Sequence, residues 1–190
     1  MITRYIFTGY HETEHITPKN NPEISHLSVF TYGEKMFMYF ESENPSVVPE
    51  TVIDSGLKAF PDGTLWMRMP DVFHYAKPLS KEHWERKEAV KEPMMRLMYL
   101  KDDMVGSYVF YHQQYQEEYP GDGDKYGIIG LLGNMLAFYC ELPCEHDSEA
   151  TGRLSTTNSP FTTWGEVMEQ HFRIEPGETE GTWKQMKQIY

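Results

Sequence analysis

Tyr108 and His112 are the two residues whose types and spacing point most directly to chemistry. Residues four apart on an α-helix lie on one face, so this phenol and this imidazole would reach one bound molecule together. Histidine takes and gives protons near pH 7, and a tyrosine hydroxyl donates a proton or positions an oxygen. We therefore interpret the pair as a candidate for general acid/base catalysis. The alternative is ordinary packing of two aromatic side chains.

Residues 102–119 have the pattern of the helix that this pair requires. Apolar and aromatic side chains recur there at helical spacing, namely Val105, Tyr108, Val109, His112 and Tyr115. Asp102 and Asp103 are suited to cap the N-terminus, and Pro120-Gly121 would end the helix. The sequence therefore predicts a helix with the pair near its middle.

Two β-hairpins with glycine-led turns are predicted, one in each half of the chain. The first covers residues 26–41 and turns at Gly33-Glu34, and the second covers residues 126–141 and turns at Gly133-Asn134. Glycine tolerates the positive φ of a tight hairpin turn, and the flanking β-branched and aromatic residues favour strands. Each half is also expected to begin with a strand, at residues 4–8 and 96–100.

Tryptophans repeat at nearly the same offset as the hairpins. Trp66 and Trp164 are 98 residues apart, and Trp84 and Trp183 are 99 residues apart. Landmarks in the same order in both halves indicate an internal duplication. Each half then reads β-(α)-β-β-α-β, with the first helix clear only in the second half, which predicts an α+β fold of two tandem ferredoxin-like (βαββαβ) repeats that form a pseudo-dimeric α/β barrel.

The expected domains are residues 1–92, a degenerate repeat, and residues 93–190, the repeat with the active site. Residues 11–25 are poor helix material because they contain Pro18 and Pro22. The remaining elements are one or two helices within each of 49–75 and 162–172, and closing segments at 81–90 (helical or extended) and 182–190.

The composition restricts the partners of the protein. The chain has 190 residues with 29 acidic and 17 basic side chains, and its formal net charge is −12. Polyanions are normally held by basic surfaces, so nucleic acid and anionic membranes are not expected partners. There is no apolar stretch of membrane-spanning length, and the N-terminus has the pattern of an amphipathic strand. We therefore expect a cytoplasmic protein.

No metal or cofactor is expected from the remaining motifs. Cys140 and Cys144, with His146 two residues further on, are interpreted as one strand and one loop cysteine rather than a zinc site. Residues 121–124 are acidic and precede a strand, which favours a solvated turn over a phosphate-binding or calcium-binding loop.

The second half resembles the sugar mutarotase family typified by the L-rhamnose mutarotases, here in tandem duplicated form. The likeness is carried by residues 96–100, the helix with Tyr108 and His112, residues 126–141, Thr163-Trp164-Gly165-Glu166 and residues 183–190. In the first half, residues 65–73 resemble the tryptophan-bearing helix of the family. This chain has Gln113-Gln114 where that family commonly has Asn-Pro, and Thr163 where it has a second Trp.

The resemblance implies a cofactor-independent isomerase, an aldose mutarotase acting on a small-molecule sugar such as L-rhamnose. His112 and Tyr108 would be catalytic, and Trp164 and Trp66 would bind the substrate. A pyranose opens when its anomeric hydroxyl loses a proton and its ring oxygen gains one, which two groups of opposite proton roles provide. Aromatic faces also suit the C–H faces of sugar rings. The acidic chain is compatible with such a neutral ligand, and formation of a homo-oligomer stays open.

Two other functions remain open on these observations. Dimeric α/β barrels also serve as cofactor-independent monooxygenases and isomerases, and the same pocket would also suit a non-catalytic binding module. For Trp66, Trp84 and Trp183, the alternative to a pocket role is packing in the core.

Overall fold

A computed structural model of the chain describes residues 1–88, 90–149 and 164–190. This part of the chain is mixed α/β and rich in strands, which form two antiparallel sheets. The chain divides into two compact units. The first unit comprises Met1–Met69, Pro78–Ala89 and Met186–Tyr190, and the second comprises Pro70–Lys77 and Val90–Gln185. None of the helices in the described ranges has the length and apolar character needed to cross a bilayer.

The elements follow one another along the chain in a simple order. They are β1 (Thr3–Pro18), β2 (Ile24–Tyr32), β3 (Lys35–Ser42), β4 (Ile53–Lys58), β5 (Met67–Arg68), β6 (Asp71–His74), α1 (Lys81–Trp84), β7 (Glu92–Tyr99), α2 (Val105–Glu118), β8 (Ile128–Leu132), β9 (Met135–Leu142), α3 (Trp164–Glu169), β10 (Lys184–Gln185) and β11 (Lys187–Gln188). Short 3-10 turns occur at Pro49–Thr51 and Asp102–Met104.

The sheet of the first unit has the strand order β11-β2-β3-β1-β4, and β5 pairs with β1. One face of the sheet carries the apolar core, which includes Tyr5, Phe7, Val29, Met38 and Phe40. Side chains from the second half of β1 and from β4 belong to or pack against this core, namely Ile16, Ile53 and Leu57. The residues of this core therefore come from strands and the segments between them, and none of them is in α1.

Both predicted hairpins are confirmed. β2 and β3 turn at Gly33, which has a φ of 57°, and β8 and β9 turn at Gly133, which has a φ of 60°. An L-residue with a Cβ is disfavoured in this left-handed region, so glycine is what allows the strands to reverse within two residues.

The expectation of one or two helices within residues 49–75, in the first half of the chain, is wrong. Apart from the 3-10 turn, the regular elements of this segment are β4, β5 and β6. Pro61, Gly63 and Pro70 interrupt any helical run here, because proline removes a backbone donor and glycine weakens a helix. Trp66 therefore does not stand on a helix but immediately precedes β5.

In the second unit the elements come in the order β7-α2-β8-β9-α3-β10, and the strands lie in the order β10-β7-β9-β8-β6. The edge strand β6 comes from residues 71–74 and pairs with β8, with Phe73 opposite Ile129. The core of this unit joins side chains of the sheet to those of the two helices, including Phe73, Met98, Tyr108, Leu136 and Met168.

The predicted helix with the Tyr-His pair is confirmed as α2. It ends where Tyr119 N–H donates to the Tyr115 carbonyl at 2.8 Å, and Gly121 follows with a φ of 74°. The predicted capping by Asp102 and Asp103 is wrong, because the N-cap residue of α2 is Met104, which makes no side-chain cap hydrogen bond. The Asp102 carboxylate instead accepts a hydrogen bond from Asn134 Nδ2 at 2.8 Å, which ties the turn before α2 to the β8–β9 hairpin.

Candidate functional site

The second unit contains a cavity of about 470 Å³ that is bordered by α2, α3 and the sheet. This volume is within the range of small-molecule sites. Aromatic side chains are the largest group among the described residues of its wall: Phe73, Tyr75, Tyr108, Tyr115, Phe138, Trp164, Phe172 and Trp183. Polar groups on its lining are fewer and include Arg96, His112, Glu169, Glu180 and Thr182.

Helix α2 brings Tyr108 and His112 into this cavity together, as the sequence predicts. The side chain of His112 is buried, and its Nδ1 lies 2.9 Å from the backbone carbonyl oxygen of Tyr108. A carbonyl only accepts, so this hydrogen bond requires the proton of the neutral ring to be on Nδ1. Among the described residues, Nε2 has no hydrogen-bond partner, which leaves its lone pair available to a ligand.

The protonation state of His112 follows from its burial. Loss of solvent lowers the pKa of His112 to about 4, because the imidazolium is deprived of hydration, and the nearby His171 lowers it further. The hydrogen bond to the Tyr108 carbonyl acts in the opposite direction but is the smaller effect. His112 is therefore a neutral proton acceptor at physiological pH.

Tyr108 is in direct contact with this imidazole. The two ring centroids are 3.9 Å apart with an interplanar angle of 33°. Burial raises the pKa of Tyr108, and the phenol of Tyr75 contributes in the same direction. The hydroxyl therefore keeps its proton and acts as a donor. The site thus combines one group that accepts a proton with one that donates a hydrogen bond.

Trp164, at the start of α3, forms a wall of the cavity next to His112. Its ring centroid is 4.9 Å from that of His112 and 4.4 Å from that of Tyr115. The indole is partly exposed, so one part of it shields the imidazole from water while another part is available to a ligand. The neighbouring Thr163 and the preceding residues of the predicted helix 162–172 lie outside the described residues.

Strand β6 and the residue that follows it supply two aromatic side chains that the sequence pattern does not assign to the site. Phe73 lies with its ring centroid 5.0 Å from that of His112, and Tyr75 follows two residues later. Two side chains of α2 hold this edge of the sheet: Gln113 Nε2 donates to the Val72 carbonyl at 2.7 Å, and the Gln116 side-chain oxygen accepts from the His74 N–H at 3.0 Å. Gln113 thus has a role in docking α2 against this edge.

The acidic loop of residues 121–124 wraps around Tyr75. A Cβ on Gly123 would lie 2.4 Å from the Tyr75 ring, and Gly123 has a φ of 145°. Asp122 accepts a short hydrogen bond from the Tyr115 hydroxyl. The Asp124 carboxylate accepts from the backbone N–H groups of Glu141 and Glu145. This loop is therefore a support for two aromatic walls of the cavity.

Arg96 on β7 is a further lining residue for which the sequence offers no signal. It stands opposite Phe138 in the register of β7 and β9, and its guanidinium carbon lies 4.9 Å from the centroid of that ring. Its Nε is buried and has no hydrogen-bond partner among the described residues. The thiol of Cys140 is also near it, and burial raises the pKa of that thiol to about 11.

The remaining sequence candidates lie elsewhere. Trp66 belongs to the apolar core of the first unit, and it is not among the residues that line the cavity. Cys140 is buried and Cys144 is exposed, and both are free thiols. Within residues 1–88, 90–149 and 164–190, no three His, Cys, Asp or Glu side chains are grouped so as to hold a metal ion.

Comparisons of the chain with known protein families, with curated proteins and with solved structures found no match.

Proposed function

We propose that this protein is a cofactor-independent isomerase that interconverts the anomers of a monosaccharide, with His112 as the principal acid/base group and Tyr108 as its partner. One observation carries this proposal: a buried, neutral imidazole has one nitrogen held by a backbone carbonyl, while the other has no partner among the described residues. The arrangement leaves Nε2 as a proton acceptor without a hydrogen-bond partner in the described part of the chain. Mutarotation requires such an acceptor and a donor on the other side of the anomeric carbon.

The reaction that we propose balances with these two groups. His112 Nε2 takes the proton of the anomeric hydroxyl, and the C1–O5 bond of the ring breaks as its electrons move to the ring oxygen. That oxygen takes a proton from the Tyr108 hydroxyl, which gives the open-chain aldehyde. Rotation about the C1–C2 bond and reversal of these transfers close the ring as the other anomer. Trp164 and Phe73 offer flat faces to the apolar C–H side of a sugar ring.

The order of elements supports the same proposal at the level of the fold. We propose that the second unit is a ferredoxin-like repeat, since β7-α2-β8-β9-α3-β10 has the βαββαβ order and its strands lie as β10-β7-β9-β8. The strands β4-β1-β3-β2 of the first unit follow the corresponding order without the long helices. A tandem duplication accounts for the corresponding strand orders of the two units. Loss of the helices from the first copy, and with them of a helical Tyr-His pair, accounts for the difference between the units.

Anomer exchange measured by saturation-transfer NMR on a panel of aldoses tests the proposal. The wild-type protein should accelerate exchange of at least one sugar, and His112→Asn should lower that rate by about 100-fold or more, as expected when a general base is lost. His146→Asn is the control, because His146 is an exposed histidine of the same unit that does not line the cavity. Equal rates in wild type and His112→Asn would refute the proposal.

The aromatic walls of the cavity favour a second candidate, a cofactor-independent monooxygenase for a flat aromatic substrate. Such an enzyme consumes oxygen, whereas a mutarotase does not. An oxygen electrode with sugar and quinol panels therefore separates the two. Ligand binding without either reaction would instead identify a binding module.

A further inference from the structure

Among the described residues that line the candidate site, Arg96 is the one with a permanent positive charge. Arginine side chains carry a positive charge in proteins, whereas burial keeps His112 in the same cavity neutral at physiological pH. No carboxylate among the described residues forms an ion pair with Arg96. A hydrogen bond to the Cys140 thiol is one contact of this side chain, but a thiol carries no counter-charge, and a buried cation is stabilised when it is paired with one.

One N–H donor of the Arg96 side chain is also without an acceptor. Its Nε is buried and has no hydrogen-bond partner in the described part of the chain. The guanidinium lies over the Phe138 ring, but a cation–π contact does not occupy N–H donors in the plane of the group. A buried donor without an acceptor is costly, and an oxygen of a ligand would remove that cost.

Neither acidic residue on the described part of the lining forms an ion pair with Arg96. Glu169 and Glu180 are both exposed to solvent, and exposed charges are screened by water and salt. The part of the cavity around Arg96 therefore retains a positive character that a neutral ligand leaves unpaired. A guanidinium fork matches the two oxygens of a carboxylate in a planar, bidentate arrangement.

We propose that the natural ligand of this cavity carries a carboxylate that pairs with Arg96, and that the substrate class is therefore the hexuronic acids rather than neutral or 6-deoxy sugars. This inference rests on the proposed function, since it takes the ligand to be a sugar. The ring of the uronate lies against the aromatic walls, its anomeric hydroxyl meets His112, and its carboxylate meets Arg96. The carboxylate and the anomeric hydroxyl of a hexuronate are on different carbons. Arg96 therefore binds the carboxylate, while His112 accepts the proton of the hydroxyl.

Calorimetric or NMR titration with matched sugars tests this assignment. D-glucuronate and D-galacturonate are compared with D-glucose and D-galactose, which have the same ring but no carboxylate. The wild-type protein should bind a uronate about tenfold or more tightly than its neutral counterpart, as expected for hydrogen bonds to a charged group. Arg96→Gln should remove this preference, and Arg96→Lys should retain part of it, because lysine keeps the charge but not the fork.

Arg173→Gln provides the matched control. Arg173 belongs to the same unit, pairs with Glu175 at 2.7 Å and does not line the cavity, so its loss should leave the uronate preference unchanged. Equal binding of uronate and neutral sugar by the wild type, or a preference that survives in Arg96→Gln, would overturn the assignment.

Anomer exchange recorded in the same samples separates this inference from the function on which it rests. A uronate preference that depends on Arg96 but comes without any acceleration of exchange supports the ligand class and refutes the mutarotase. Acceleration of exchange for neutral sugars without any preference for uronates supports the mutarotase and refutes the ligand class.

Discussion

The Nδ1 atom of His112 lies 2.9 Å from the backbone carbonyl oxygen of Tyr108, one helical turn earlier. This contact connects the two candidate catalytic residues through the backbone as well as through their rings. It holds the imidazole in one orientation and one tautomer, so that only Nε2 is available as a proton acceptor. A histidine four residues after a tyrosine on a helix is thus oriented before any ligand binds.

We predict that His112 makes the stability of the protein depend on pH between about 4 and 6.5. Its pKa falls from an ordinary value of 6.5 to about 4 on folding, because burial disfavours the imidazolium. The unfolded chain therefore binds more protons than the folded chain in this window. Stability is complete above pH 6.5 and is lost as the pH falls, by about 3 kcal/mol near pH 4.

Urea denaturation of the wild type and of His112→Gln at several pH values measures this effect. Glutamine does not titrate, so the difference in unfolding free energy between the two proteins should change by about 3 kcal/mol between pH 7.5 and pH 4. A difference that is constant with pH would show that the folded pKa of His112 is not depressed.

Trp164 should be responsible for much of the desolvation of His112. The two ring centroids are 4.9 Å apart, so replacing the indole by a methyl group would admit water to the imidazole. We predict that Trp164→Ala raises the pKa of His112 from about 4 toward 6.5 and weakens ligand binding by about tenfold, from the loss of a stacking face. The imidazole signals in a ¹H–¹⁵N NMR titration report the pKa directly.

Phe110→Ala is the control for this experiment. Phe110 is on the same helix as His112, but its side chain is 63% exposed and does not line the cavity. Its removal should leave the pKa of His112 unchanged. If Trp164→Ala and Phe110→Ala gave the same His112 pKa, the shielding role of Trp164 would be excluded.

The sequence was sufficient for elements that local signals specify. The helix with Tyr108 and His112 is predictable because its periodicity and its proline-glycine end agree. The hairpins at Gly33 and Gly133 are predictable because only a few residue types suit their turns.

Long-range pairing explains what the sequence could not predict. Residues 71–74 form a strand that pairs with the edge of β8, and four residues are too few for hydrophobic periodicity to identify a strand by itself. The contribution of Phe73 to the site therefore depended on a partner strand more than fifty residues away in the chain. The position of Arg96 in the site was likewise not predictable, because a single arginine in a strand pattern does not show which face of the sheet it occupies or whether a carboxylate is near it.

Gly123 should be intolerant of a side chain. A Cβ there would lie 2.4 Å from the Tyr75 ring, and the φ of 145° is a conformation that L-residues rarely adopt. We predict that Gly123→Ala destabilises the protein by about 2 kcal/mol or more, because it combines backbone strain with displacement of a cavity wall. Gly106→Ala is the matched control, since Gly106 is in α2 and a Cβ there meets no atom within 4 Å. That control should stabilise the helix by up to about 1 kcal/mol, and equal effects of both substitutions on the urea midpoint would contradict this account.

The carboxylate of Glu41 in the first unit depends on Arg86. Two guanidinium nitrogens of Arg86 bind it, at 2.7 and 3.0 Å, and the side chains of Arg86 and Glu41 are only 7% and 1% exposed. Although burial alone would raise the pKa of Glu41, hydrogen bonds from His26 and Arg86 hold it well below its usual range. The Tyr39 hydroxyl donates to the same carboxylate at 2.6 Å. Glu41 therefore remains charged in the core of the unit.

We predict that Arg86→Ala costs about 3–5 kcal/mol of unfolding free energy in urea denaturation at pH 7, because it leaves a buried carboxylate without its main counter-charge. Lys81→Ala, which breaks the exposed Lys81–Glu43 pair of the same unit, should cost less than about 1 kcal/mol. Adding Glu41→Gln to Arg86→Ala should recover part of the loss, since a neutral amide is cheaper to bury than an unpaired charge. If the double variant were no more stable than Arg86→Ala alone, lost packing of the arginine, and not the charge of Glu41, would be the cause of the destabilisation.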